Sequence, residues 1–137
     1  LNVGKICKGV PVENQDVKKV MVIDDMSSIT LVLREWLKDA GVSDVITFED
    51  PREAVEEIRK NGVPDFIVTD YNMPGMNGVE FLEKVTAGND VRAIIMTAYP
   101  SEVDFRSTTK TYEVIEKKIG FMDTIVRKIR SSEEKDR

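Results

Sequence analysis

Asp24, Asp25, Asp70, Thr97 and Lys117 are the residues of this chain best placed to do chemistry. Each stands at the exit of a short apolar run. Val20-Met21-Val22-Ile23 leads into Asp24-Asp25, and Phe66-Ile67-Val68 leads through Thr69 into Asp70. Ala93-Ile94-Ile95-Met96 leads into Thr97, and Val114-Ile115 through Glu116 into Lys117. Short bounded runs of this kind read as strands buried on both faces of a parallel sheet. Ligands of such sheets bind at the carboxyl ends of the strands. Three carboxylates, a hydroxyl and an ammonium would then meet at one edge, a set that can hold a divalent cation and handle a phosphoryl group. Converging carboxylates repel one another, so at least one is expected to have a raised pKa unless a cation sits among them. Mg²⁺, or Mn²⁺, suits such oxygen donors together with a phosphate oxygen.

Each residue also has a plainer reading. Adjacent aspartates such as Asp24-Asp25 usually sit solvated in turns, and Asp70 could cap a turn or a helix. Thr97 could be an ordinary β-branched strand end, and Lys117, with Lys118 beside it, a solvated lysine. Their shared position at strand exits favours the functional reading. Ala98 is small and would leave the approach to Thr97 open.

The elements that must position these groups follow from periodicity. Ile29, Val32, Leu33, Trp36, Leu37 and Ala40 share one helical face, with Gly41 as a stop. A second helix starts at Asp50 as N-cap with Pro51 at its first position and Glu53 in its first turn, turns Ala54, Val55 and Ile58 inward, and ends near Gly62. A third starts near Asn77, buries Phe81, Leu82 and Val85, and closes at Gly88. The last buries Met122, Ile125, Val126 and Ile129, then gives way to the charged tail from Glu133 to Arg137. With Val45 to Phe48 as a further strand, the pattern is β-α five times over. Right-handed crossovers then give a doubly wound α/β fold with helices on both faces of the sheet. One unit is weak: between Ser101 and Thr111 only Val103 and Phe105 are apolar, and the Ser and Thr residues there are poor helix formers. The fourth helix is expected to be short or irregular.

Composition narrows the function classes. A chain of 137 residues fits one domain, and 33% charged with 41% hydrophobic residues fits a globular protein rather than a disordered one. The expected organisation is an arm or linker over residues 1–16, a domain over 17–131 and a charged tail over 132–137. A net charge of −5 offers no footprint for nucleic acid, and no apolar stretch suggests a membrane span or a signal peptide. The single cysteine, Cys7, excludes an internal disulfide and suits a reducing cytoplasm. No histidine is present, which excludes a phosphohistidine donor, a Ser-His-Asp triad and imidazole metal ligands. Leu1 in place of an initiating Met suggests a processed, tagged or excised product. No output domain is expected after Arg130, although a longer parent is left open.

The constellation is very similar to the receiver domain of bacterial two-component response regulators. The resemblance spans roughly Val17 to Arg130. It rests on Val22-Ile23-Asp24-Asp25, on Thr69-Asp70-Tyr71-Asn72-Met73-Pro74-Gly75-Met76-Asn77-Gly78, on Thr97-Ala98 and on Lys117. It implies a flavodoxin-like sheet with strand order 2-1-3-4-5. It also implies that Asp70 is the phosphoacceptor, that Asp24, Asp25 and Asp70 with the Asn72 backbone carbonyl hold Mg²⁺, and that Thr97 and Lys117 sense the phosphoryl group. The phosphoryl donor would be a histidine kinase or a phosphotransfer protein, and the chain a switch rather than an enzyme with a separate substrate. Two positions depart from the family pattern. Val114 stands where an aromatic switch residue is usual, and Lys118 where proline follows the lysine, so the Lys117–Lys118 bond is expected to be trans. Tyr99 then becomes a candidate signal relay, with a solvent-facing bystander as its alternative. The departures also leave room for a receiver-like interaction module that works without phosphorylation. A metal-dependent phosphatase with an aspartate nucleophile fits less well, because that class resembles Asp-x-Asp on the first strand.

Overall fold

The structure, a computed structural model, describes residues 17–87, 91–106, 108 and 110–135, with the backbone alone for 132–135. The expected arm and the Gly88 stop lie outside the described residues. Five parallel strands form one sheet: β1 (Lys19–Ile23), β2 (Asp44–Phe48), β3 (Phe66–Asp70), β4 (Arg92–Thr97) and β5 (Glu113–Glu116), in the order β2-β1-β3-β4-β5. The register sets Ile23 beside Thr69, Asp70 beside Met96 and Thr97 beside Glu116, so the strand exits line up along one edge.

Alternation along the strands divides the core into two layers. Val20, Val22, Val68, Ile94 and Met96 pack with Leu33 and Leu37 of α1 (Ser27–Asp39) and Ile125 and Ile129 of α4 (Phe121–Lys135). Met21, Ile23, Ile67 and Ile95 pack with Ala54, Val55 and Ile58 of α2 (Pro51–Asn61) and with Val79, Phe81, Leu82 and Val85 of α3 (Gly78–Val85). Two helices therefore cover each face, as the doubly wound pattern requires. Local signals act as read: Asp50 accepts from the Arg52 amide ahead of Pro51, and Asn77 with Glu80 forms a reciprocal capping box.

The fourth crossover holds a 3-10 turn at Pro100–Glu102 and no α-helix among the described residues, in line with the expected short or irregular element. Three other expectations need adjustment. Trp36 does not join the core but is 43% exposed, because it lies to one side of the stripe through Leu33 and Leu37. There it lines a hollow with Ile119, Gly120, Phe121 and Met122. Met122 and Val126 are half-buried rather than fully enclosed. The last helix also does not stop at the charged tail. It runs through Lys135, since Glu and Lys are good helix formers whatever their exposure. No described helix is long and apolar enough to cross a membrane.

Candidate phosphoryl-transfer site

At the carboxyl edge of the sheet the chain changes from apolar to charged within one residue of each strand's end. Asp24 follows Ile23 directly and is fully buried; its amide donates to the Phe48 carbonyl at 3.1 Å, and its Oδ1 accepts from the Met26 amide at 2.9 Å. Asp25 beside it is exposed, and Asp70 at the end of β3 is 6% exposed. Carboxylate oxygens of Asp24, Asp25 and Asp70 lie within 4.8 Å of one another.

Lys117 enters this cluster from the exit of β5. Its Nζ lies 2.8 Å from Oδ2 of Asp24 and 3.1 Å from Oδ1 of Asp70. The Asp24 contact was not anticipated from the sequence. Its backbone amide donates to the Thr97 carbonyl at 2.7 Å, which ties the lysine to β4. No peptide bond among the described residues is cis, so Lys117–Lys118 is trans as expected.

Three carboxylates facing one ammonium leave an excess of negative charge. Burial raises the Asp24 pKa, with the Lys117 and Met26 hydrogen bonds opposing and the neighbouring Asp25 charge adding to the rise. Burial raises Asp70 as well, followed by repulsion from Asp24, against the pull of Lys117. Desolvation is thus the first cause for both acids and repulsion between carboxylates a lesser one, the reverse of the emphasis that convergence alone suggests. For Lys117 burial acts downward but is outweighed by Asp24 and Asp70, so its pKa is raised and the ammonium stays charged.

The remaining candidates divide. Thr97 is buried, and its Oγ1 accepts from the Tyr99 amide at 3.1 Å. Ala98 and Asn72 are exposed at the mouth of the site, on the loops after β4 and β3. Tyr99 is 62% exposed and Val114 half-buried; neither is brought into the acidic cluster.

Gly78 was missed as a site residue. Its amide donates to the Tyr71 carbonyl at 2.8 Å, and a Cβ at this position would lie 2.6 Å from the Asp70 backbone oxygen. A side chain there would push the end of β3 aside. The signal was present in the sequence as a glycine one residue inside a helix, where propensity disfavours it.

A family model for the response regulator receiver domain matches residues 20–130. This chain belongs to the receiver domain family. Among relatives of this receiver, the chemotaxis protein CheY-3 of Vibrio cholerae is 32% identical over 74 residues, 54% of this chain and 56% of that protein. CheY1 of Helicobacter pylori is 36% identical over 76 residues, 56% of this chain and 61% of its own length. The receiver thus aligns with little more than half of each curated relative. The structure of the response regulator TrrA from Thermotoga maritima in complex with Mg²⁺-BeF is similar with a TM-score of 0.69 and 28% identity, covering 84% of this chain and 98% of that one.

Proposed function

We propose that this receiver is a phosphorylation-activated switch in which Asp70 accepts a phosphoryl group from the phosphohistidine of a histidine kinase or phosphotransfer protein. The observation that carries the reading is the Lys117 ammonium bridging Asp24 and Asp70 in a cluster with surplus carboxylate. A site with only a structural purpose would be expected to balance its buried charges. Here the imbalance leaves room for one more cation.

The donor set fits Mg²⁺ or Mn²⁺: hard carboxylate oxygens, one exposed at the mouth, close enough together to share an ion. Asp24, Asp25 and Asp70 would hold it, with the Asn72 backbone carbonyl. When bound, the ion supplies positive charge against the phosphoryl oxygens and against the carboxylates' repulsion. The likeness to TrrA with its Mg²⁺-BeF supports this assignment.

The chain's own residues do the rest. An Asp70 carboxylate oxygen attacks phosphorus, the P–N bond to the donor imidazole breaks, and the electron pair leaves with the imidazole nitrogen. An ionised carboxylate needs no general base for this step. Lys117, already within hydrogen-bond reach of Asp70, neutralises charge on the transferring oxygens. Thr97 turns its hydroxyl toward the phosphoryl group, and Ala98 leaves the approach clear. Hydrolysis of the acyl phosphate by water resets the switch, with no separate substrate turned over. Residues 17–131 are the unit assigned to this role, 132–137 its charged extension, and the cytoplasm its place of action.

Val114 at the usual aromatic position and the irregular fourth crossover favour one other reading, an interaction module that signals unphosphorylated. Intact mass after incubation with acetyl phosphate and Mg²⁺ separates the two. A gain of about 80 Da, one phosphoryl group on the nucleophile, supports the switch, and an unchanged mass in protein that still binds Mg²⁺ supports the module.

A further inference from the structure

Among its described residues the crossover after β4 has no α-helix to hold it, yet it is fastened at defined points. Tyr71, the residue directly after Asp70, is 7% exposed and belongs to the core layer under α2 and α3. Its amide donates to the Met96 carbonyl at 2.9 Å and its carbonyl accepts from the Gly78 amide at 2.8 Å. Its phenol oxygen accepts from the Asp104 amide at 3.2 Å. One side chain thus joins the phosphoacceptor's backbone to the crossover.

The near end of that crossover is held by Thr97, whose Oγ1 accepts from the Tyr99 amide. Between the two fastenings lies a compact link. The Glu102 amide donates to the Tyr99 carbonyl at 2.9 Å, and the Val103 amide to the Pro100 carbonyl at 3.2 Å. A reorientation of Thr97 therefore has a short route to Asp104. The fastening there is at the long end of hydrogen-bond distance, so a shift of a few tenths of an ångström weakens it. Val114 has too little volume and too stiff a χ1 to report on Thr97 by swinging.

We infer that the Tyr71 phenol is a latch between the phosphoacceptor strand and residues 99–106, closed in the unphosphorylated form and opened when Thr97 engages the phosphoryl group. This rests on the reading of Asp70 as phosphoacceptor. The latch would give the chain a coupling route that replaces the missing aromatic at position 114.

The test is amide-resolved hydrogen exchange on wild type, Tyr71→Phe and Asp104→Ala, each with and without Mg²⁺ and beryllium fluoride, with binding of the mimic measured in parallel. Tyr71→Phe keeps the ring in the core and removes the acceptor; Asp104→Ala keeps the amide donor. In wild type the mimic is expected to speed exchange of the Asp104 amide about fivefold, the weight of one neutral hydrogen bond. Tyr71→Phe should exchange at that faster rate without the mimic and show no further change with it, while binding the mimic up to about fivefold more tightly than wild type, because binding no longer has to open the latch. Asp104→Ala should follow wild type. A mimic-dependent change that survives in Tyr71→Phe overturns the latch, as does an unresponsive Asp104 amide in wild type with the mimic bound. Loss of the response in Asp104→Ala overturns it too, by assigning the effect to the carboxylate. Wild type that binds no mimic at all removes the phosphoacceptor reading, and the latch with it.

Discussion

The two ends of β4 and β5 show how differently one protein can treat neighbouring residues. At their carboxyl edge, Thr97 and Lys117 are joined backbone to backbone, and the lysine side chain reaches two buried acids. The described residues of the segment that connects the same two strands form no regular element beyond a 3-10 turn, and side chains fasten them. The Tyr112 hydroxyl donates to Glu83 at 2.6 Å, Lys110 Nζ to Thr86 Oγ1 at 3.3 Å, and the Asp104 amide to Tyr71. Strand backbone sets positions within narrow limits, as phosphoryl chemistry demands. Side-chain fastenings are individually weak and can be exchanged. The first region is set by strand backbone and the second by separate side-chain bonds.

The strongest way to break this contrast is Asp70→Asn. It preserves shape but removes the proposed nucleophile, and is expected to abolish the roughly 80 Da gain with acetyl phosphate and Mg²⁺. A gain that persists and maps elsewhere would move the chemistry out of the rigid region. Asp25→Ala should also lose Mg²⁺-dependent phosphorylation while keeping the fold. Gly78→Ala probes rigidity itself: with its Cβ set against the Asp70 carbonyl, we expect a loss of about 1–3 kcal/mol in denaturant unfolding, as for other overpacked sites.

A pH series sharpens the electrostatic side. Because the folded state raises the pKa of Asp24 and Asp70 above the ordinary 3.8, it holds their protons more tightly than the unfolded chain does. Stability in metal-free buffer should therefore fall as pH rises above 3.8 through the folded values. Asp70→Asn should melt several degrees higher than wild type at neutral pH without Mg²⁺, and this advantage should vanish in acid and shrink when Mg²⁺ is added. Equal melting at all pH values would mean that the cluster carries no strain. The smallest effect belongs to the crossover. Tyr112→Phe, which removes the Glu83 bond and the hydroxyl's interaction with Thr86, should cost about 0.5–1.5 kcal/mol and leave phosphorylation intact.

Much of the rigid region could be read from the chain because parallel buried strands leave an uninterrupted apolar run that ends abruptly on a charge. Asp24, Asp70, Thr97 and Lys117 stood out for that reason, and the capping residues Asp50 and Asn77 for their side chains. The crossover was visible only as an absence of helical pattern, since the bond Tyr71 accepts from the Asp104 amide and the one Tyr112 donates to Glu83 leave no local period. Trp36 was misplaced because periodicity defines a stripe but not where its border meets a neighbouring helix. The Lys117–Asp24 pair was hidden by distance, as no spacing rule links the first strand to the last.

That pair joins residues 93 positions apart. A chain growing from the ribosome therefore makes its acidic pair early and its neutralising cation only when the fifth strand has been synthesised and docked. Contacts of such high sequence separation form late and slowly. Until then Asp24 and Asp70 would face each other without their lysine, a disfavoured arrangement that a half-made protein can relieve only by staying open. On the proposed role of Asp70, competence for phosphoryl chemistry is in this way tied to completion of the sheet, and a truncated or partly folded molecule would carry the proposed nucleophile without its lysine.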